Sequence, residues 1–257
     1  MMTDLLYSVP RVLRARGWRL YTNSGRLVDL WQYGGRALLG HNPPGLLQVI
    51  KNNSERSLFA PLPHIAEDRF RKALSALFPD HSFLLSDSEA SLRQAINAVS
   101  GDRLPEKLPH WRPFSGKETQ AAALAAPAFL PALPCPFPGA PAVLALTDEK
   151  SAEQFPPSQL LSPVALSAAT RCIYDLLSAG ERGKPRLPKT DGAIKKSAHW
   201  KRDGIYLFFT GNNYTELLLN FLEGGFLLPP SPEEPAILPG ELSPGEDAKL
   251  AGLILII

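Results

Sequence analysis

The chain has 257 residues, of which 44% are hydrophobic and 20% charged, a composition that supports a real core in one large domain or two small ones. Its 27 basic and 25 acidic residues leave a formal charge of +2, so no global field favours nucleic acid or an anionic membrane. Cys135 and Cys172 stand far apart, and neither they nor His64, His81, His110 and His199 follow a metal-binding spacing. No metal is expected, the histidines are read as surface residues, and the thiols are read as reduced and inert in a cytoplasmic setting. The opening MMTDLLYSVPRVLRARGW lacks a continuous apolar region of secretory length. No stretch approaches the roughly 20 apolar residues of a membrane span.

In chain order, RLYT and RLVDLW read as two strands of a hairpin around Asn23-Ser24-Gly25, residues that tolerate turn geometry. Gly34-Gly35 breaks that pattern. Pro43-Pro44 then opens a helix in which Leu46, Leu47, Val49 and Ile50 are expected to form a buried stripe. HIAEDRFRKALSALFP predicts a second helix, with Ile65, Phe70, Leu74 and Leu77 at helical spacing and Pro79 as its stop. HSFLLS reads as a strand running directly into the helix SDSEASLRQAINAVSG, stopped by Gly101.

Between Asp102 and Pro141 the density of proline predicts extended segments and turns and argues against interior strands. Ala142–Leu146 (AVLAL) reads as a buried strand. SPVALSAATRCIYDLLSAG has Ser162 as cap, Pro163 in its first turn and Gly180 at its end, with Val164, Ala168, Cys172 and Leu176 facing a core. The basic stretch from Gly183 to Arg202 carries no aromatic residue before Trp200, which favours a solvated loop over a nucleic-acid arm. GIYLFF, FLLPP and PAIL follow as strands, with the helix YTELLLNFLEGG between the first two. SPGEDAKLAGLI closes as a helix with Ser243 as cap and acids in its first turn. Alternating strands and helices make the class α/β, with an α+β tail.

Several of these segments share a resemblance. Tyr21, Gly25, Val28-Asp29, Gly34-Gly35, Leu39-Gly40-His41 and Pro44 fall in the order of the N-terminal signature of class III aminotransferases, the pyridoxal-phosphate family of fold type I that includes glutamate-1-semialdehyde aminomutase. SDSEASLRQAIN resembles that family's S-G-T-E-A helix start. SPVALSAATRCIYDLL is similar to the helix that follows its catalytic lysine, and GGFLLPPSPEEPAILPGELS to its C-terminal segment. Family members run to about 400 residues or more, so the resemblance implies a shortened and degenerate relative. It implies an N-terminal hairpin and helix segment over residues 1–60, a reduced large-domain remnant over 61–182 and an α+β small domain over 183–257.

The resemblance also implies a chemistry: a lysine amine condenses with the cofactor aldehyde, an acid pairs with the pyridine nitrogen, and an aromatic residue stacks on the ring. The matching positions are Lys150 for the amine and Asp148 for the acid, although residues two apart on one strand lie within about 7 Å on one face and leave little room for a ring between them. Ser86, Asp87 and Ser88 match the phosphate cup, with Asp87 in place of the family's glycine. A carboxylate there repels a phosphate, so Asp87 is also read as a cap of its own helix. Trp111 stands in for the ring stacker, with Phe114 as its alternative, and Trp31, Gly34, Gly35 and His41 for substrate or dimer-interface positions.

The expectation is an aminotransferase-like pseudoenzyme, a homodimer whose pyridoxal phosphate, if bound, is not covalently held. It would serve an amino or keto acid or a complete aminotransferase. The alternative is an active aminotransferase or aminomutase with a relocated lysine: Lys150, Lys117 or one of Lys195-Lys196.

Overall fold

A computed structural model of the protein describes residues 7–56, 59–99, 108–147, 155, 157–180 and 187–256. It divides into two units, Met1–Asn42 with Glu181–Ile257, and Pro43–Gly180.

In the first unit, β1 (Val12–Arg16), β2 (Arg19–Thr22) and β3 (Gly25–Asp29) form an antiparallel meander. β10 (Phe226–Leu227) adds to its far edge in parallel, pairing Phe226 with Val28. The sequence does not mark β1 because its side chains are largely exposed and two of the five are arginines. It is held by pairing with β2 and by the Arg14 guanidinium 4.4 Å over the Tyr21 ring. Leu20, Leu27 and Leu227 pack beneath this sheet with Val9, Ala15, Trp31 and Leu222. A second sheet holds β8 (Trp200–Asp203), β9 (Tyr206–Phe209) and β11 (Ala236–Ile237), all antiparallel and ordered β11-β9-β8.

The second unit has a four-stranded sheet in the order β4-β7-β6-β5. β4 (Ser82–Ser86) and β6 (Ala128–Pro131) run antiparallel to β7 (Ala142–Leu146), while β5 (His110–Trp111) is parallel to β6. Five helices accompany it: α1 (Leu46–Ser54), α2 (Ile65–Leu77), α3 (Glu89–Val99), α4 (Lys117–Leu124) and α5 (Pro163–Ala179). Leu84, Leu144 and Leu146 from the strands pack with Leu92 and Ile96 of α3. Phe78 sits edge-on to Trp111 and Phe129 at 4.7 and 5.2 Å between centroids. Both units mix parallel and antiparallel pairing, so the architecture is mixed α/β.

Three expectations change. The basic stretch is not simply a solvated loop: Pro188–Lys196 forms helix α6 and Trp200 begins β8. The helix exists because Asp247 accepts the Lys189 and Thr190 N–H groups at its start and Thr190, Ala193 and Ile194 are buried. The proline-rich stretch does contain an interior strand, β6, because Pro131 stands at its last position, where a missing N–H breaks no ladder. On α1 only Leu46 is buried, and Leu47 is 66% exposed.

Helix α8 (Pro244–Leu255) starts with the capping box between Ser243 and Glu246. α7 (Tyr214–Glu223) ends at Gly224, where a Cβ would meet Leu253 at 2.5 Å. Glu246 also accepts from Arg19 at 2.7 and 3.1 Å and from Arg26 at 3.1 Å, tying α8 to β2 and β3. The Arg19 hydrogen bonds, with those of Ser243, hold the Glu246 carboxyl down at about 2.

Candidate functional site

In the first unit the motif residues converge on Asp29. β3 ends there with the carboxylate 2% exposed. One oxygen accepts the Trp31 and Gln32 N–H groups at 2.9 and 2.8 Å, and the other is 2.8 Å from Nε2 of His41. The chain then makes a left-handed helical turn: Gln32, Tyr33, Gly34 and Gly35 have φ of 50, 52, 66 and 91°. Its bonds run from Gly34 N to Trp31 O and from Gly35 N to Gln32 O, both 3.1 Å. For Gln32 and Tyr33 this conformation costs about 1–2 kcal/mol each, which is why glycine occupies the next two positions.

Gln32 is fully buried and donates from Nε2 to Ile237 O at 3.0 Å. Its Oε1 is buried with no hydrogen-bond partner among the described residues. Trp31 donates from Nε1 to Glu234 at 2.8 Å and meets Tyr33 edge-on at 5.7 Å. Nearby, Tyr214 donates to Pro229 O at 2.7 Å, and burial, then the Glu234 charge, pushes its phenol upward. The structure thus brings Trp31, Gly34, Gly35 and His41 together around Asp29. Asp29 stands in the sequence motif without a role marked for it, and Gln32 stands outside the motif.

In the second unit, Ser86, Asp87 and Ser88 lie between the end of β4 and the start of α3. Ser86 is 3% exposed, whereas Asp87 faces solvent. Ser88 Oγ caps α3 by accepting the Ser91 N–H at 3.1 Å. Ser86 Oγ and Asp87 N both donate to the same atom, Oε1 of Gln159, at 3.0 Å. The strap Ser158-Gln159 lies along the open edge of β4. Gln159 N donates to Leu85 O at 3.1 Å, and Ser158 Oγ accepts from Leu85 N at 3.0 Å and from Arg71 at 2.9 Å. Nothing in the sequence marked Gln159, which gains its role through pairing with residues more than seventy positions away.

The remaining candidates are dispersed. Trp111 is 7% exposed and packed against Phe78 in the core of its unit. Lys117 opens α4 and is exposed, as are Lys195 and Lys196 in the last turn of α6. Asp148 and Lys150 lie outside the described residues. Cys135 and Cys172 are both buried. His64 caps α2 by accepting from Ala66 N at 3.1 Å, and His64, His81, His110 and His199 are half-buried rather than fully at the surface. Among the described residues no group of His, Cys, Asp and Glu could hold a metal, and no helix is long and apolar enough to cross a membrane.

No family model matches the sequence. An uncharacterized protein of Treponema pallidum (strain Nichols) is 27% identical over a gapped alignment of 289 positions that spans 92% of this chain and 91% of that protein. One of Borreliella burgdorferi is 32% identical over 77 residues, 30% of this chain and 29% of that protein. Among solved structures, ornithine δ-aminotransferase of Plasmodium falciparum superposes with a TM-score of 0.70 at 13% identity, covering 99% of this chain and 96% of that one. An omega-transaminase of Sphaerobacter thermophilus gives 0.71 at 9%, covering 96% and 90%. N-acetylornithine aminotransferase of Stenotrophomonas maltophilia gives 0.67 at 13%, covering 100% and 98%. At these identities the likeness is one of fold: the chain has the fold of the aminotransferases across nearly its whole length.

Proposed function

We propose that this chain is a shortened relative of the class III aminotransferases that keeps their fold and works without lysine-bound pyridoxal phosphate. It would act as a dimeric binding or regulatory protein for an amino or keto acid, or as a partner of a complete aminotransferase. The aminotransferase neighbours and the opening motif support the family. The extensive match to the Treponema pallidum protein supports the short length as a property shared with a relative.

One observation carries the non-catalytic reading. A phosphate at the β4–α3 turn would need the Ser86 hydroxyl and the Asp87 N–H, and both already donate to Gln159 Oε1. The Asp87 carboxylate would add like charge beside the anion. This donor set does not fit the cofactor's phosphate, so no chemical step is routed through the cofactor. Trp111, buried against Phe78, also lacks a free face for a ring.

The test is to incubate the full chain with pyridoxal phosphate, reduce with borohydride and map lysines by mass spectrometry. The expected result is no stoichiometric lysine adduct. A stoichiometric adduct on Lys150, Lys117, Lys195 or Lys196 would overturn the reading and establish the active alternative. Sedimentation equilibrium is expected to give a dimer.

A further inference from the structure

The Pro43–Gly180 unit carries a groove of about 340 Å³ between α1, the first turns of α2 and the middle of α5. Three arginines line it: Arg56, just past the C-terminus of α1, Arg69 of α2 and Arg171 of α5. Elsewhere in this unit, three cations on helices pair with acids one turn away. Lys51 pairs with Glu55, Arg71 with Glu67 and Arg93 with Glu89. Arg69 has Ile65, Ala66, Lys72 and Ala73 at those spacings, and Arg56 has Asn52 and Asn53 one turn before it. Among the described residues neither guanidinium has an ion pair. Both remain open to solvent.

Arg171 differs, because it is clamped. Its Nε donates to Asp175 at 2.8 Å, one terminal nitrogen donates to Pro44 O at 3.2 Å, and its plane lies against Gly45, where a Cβ would come within 3.2 Å of it. Gly45 has φ +82°, a backbone conformation that favours glycine, and an added Cβ would press on the guanidinium. The other terminal nitrogen is left as a fixed donor. The groove wall is also ordered: Asn53 donates to Val49 O at 2.8 Å and accepts from Ser167 Oγ at 3.3 Å. Of the acids around the groove, Asp175 is engaged by Arg171 and Glu67 by Arg71. Asp68 lies exposed on α2.

We infer that this groove is a binding site for a small, multiply charged anion bearing phosphate or carboxylate groups. Arg171 is the pre-set donor, and Arg56 and Arg69 close on the ligand from the rim. Guanidinium groups suit such ligands because their paired N–H donors match two oxygens of one carboxylate or phosphate. The unpaired state of two of them leaves charge for a ligand to neutralise, and the volume lies within the range of small-molecule pockets. The inference is independent of how the β4–α3 turn is read.

Isothermal titration of the full chain at low salt with pyrophosphate and with citrate separates phosphate from carboxylate sources. One saturable site for at least one of them is expected, weakened roughly tenfold by each of Arg56→Gln and Arg69→Gln. These residues are exposed and make no internal ion pair, so folding should be unchanged by circular dichroism. Asn52→Asp, which places a carboxylate on the groove wall, is expected to weaken binding without removing any arginine. Absence of saturable binding by both probes, or equal binding by the Arg56→Gln/Arg69→Gln variant, overturns the inference. So does a heparin fragment that binds far tighter than either probe and loses none of its affinity in that double variant.

Discussion

The Asp29 turn and the β4–α3 turn carry the same kind of family resemblance and differ in what their polar atoms do. At Asp29 the buried carboxylate holds the imidazole and two N–H groups of a left-handed turn, while the Trp31 indole donates to Glu234 and the Gln32 amide to Ile237 O. At Ser86 the donors are held by Gln159, a surface side chain from a distant strap. On the proposed reading, the donors that a ligand would use at this turn are taken by a carboxamide from the same chain.

The difference can be broken by mutation. Asp29→Ala leaves two N–H groups and His41 without an acceptor, and buried donors without partners are costly. A loss of about 3 kcal/mol or more in urea unfolding is expected, and a loss below about 1 kcal/mol would mean that the turn does not depend on Asp29. The Glu246 contact gives a pH-dependent counterpart in the same unit. Its carboxyl is held at about 2 against an ordinary 4.5. Its contribution is therefore complete above about pH 4.5 and fades as pH falls towards 2. Glu246→Gln should cost on the order of 2 kcal/mol at neutral pH and flatten the acid limb of the stability profile. An unchanged acid limb would show that the tie to Arg19 is weak.

Gly35→Ala isolates the backbone cost of the left-handed turn, because the added Cβ would meet Ile237 at an ordinary 3.5 Å. A loss of about 1–2 kcal/mol is expected from φ alone. The smallest stability change belongs to Gln159→Ala, below about 1 kcal/mol, since it removes an exposed acceptor. Combined with Asp87→Gly in the Arg56→Gln/Arg69→Gln background, which removes the groove's rim arginines, it should nevertheless create a response to inorganic phosphate, read as ³¹P line broadening, that the background alone lacks. If that combination shows no broadening, Gln159 is not what closes the turn.

Periodicity made legible those elements whose cause is local. β2, β3, β4, β7 and β9 follow from apolar runs between turn residues, α8 from its cap and first-turn proline, and α5 from its first-turn proline, its expected Ser162 cap making no side-chain hydrogen bond. β1 and α6 were not legible because their stability comes from elsewhere: β1 from the strand it pairs with, and α6 from a carboxylate on α8 that caps it. The site divides the same way. Trp31, Gly34, Gly35 and His41 were readable because they lie within one short stretch of chain. Gln159 and the arginine groove were not, because each is assembled from segments that the sequence keeps far apart.

The parallel pairing of β3 with β10 joins Val28 to Phe226, about two hundred residues apart. During synthesis the N-terminal hairpin therefore emerges with one side of β3 unfilled and waits while nearly all of the chain leaves the ribosome. The Pro43–Gly180 unit, continuous in sequence, can complete itself meanwhile. A ribosome stalled before Phe226 should thus present a protease-resistant middle segment flanked by a cleavable leader, and resistance of the leader should appear only once β10 has been translated.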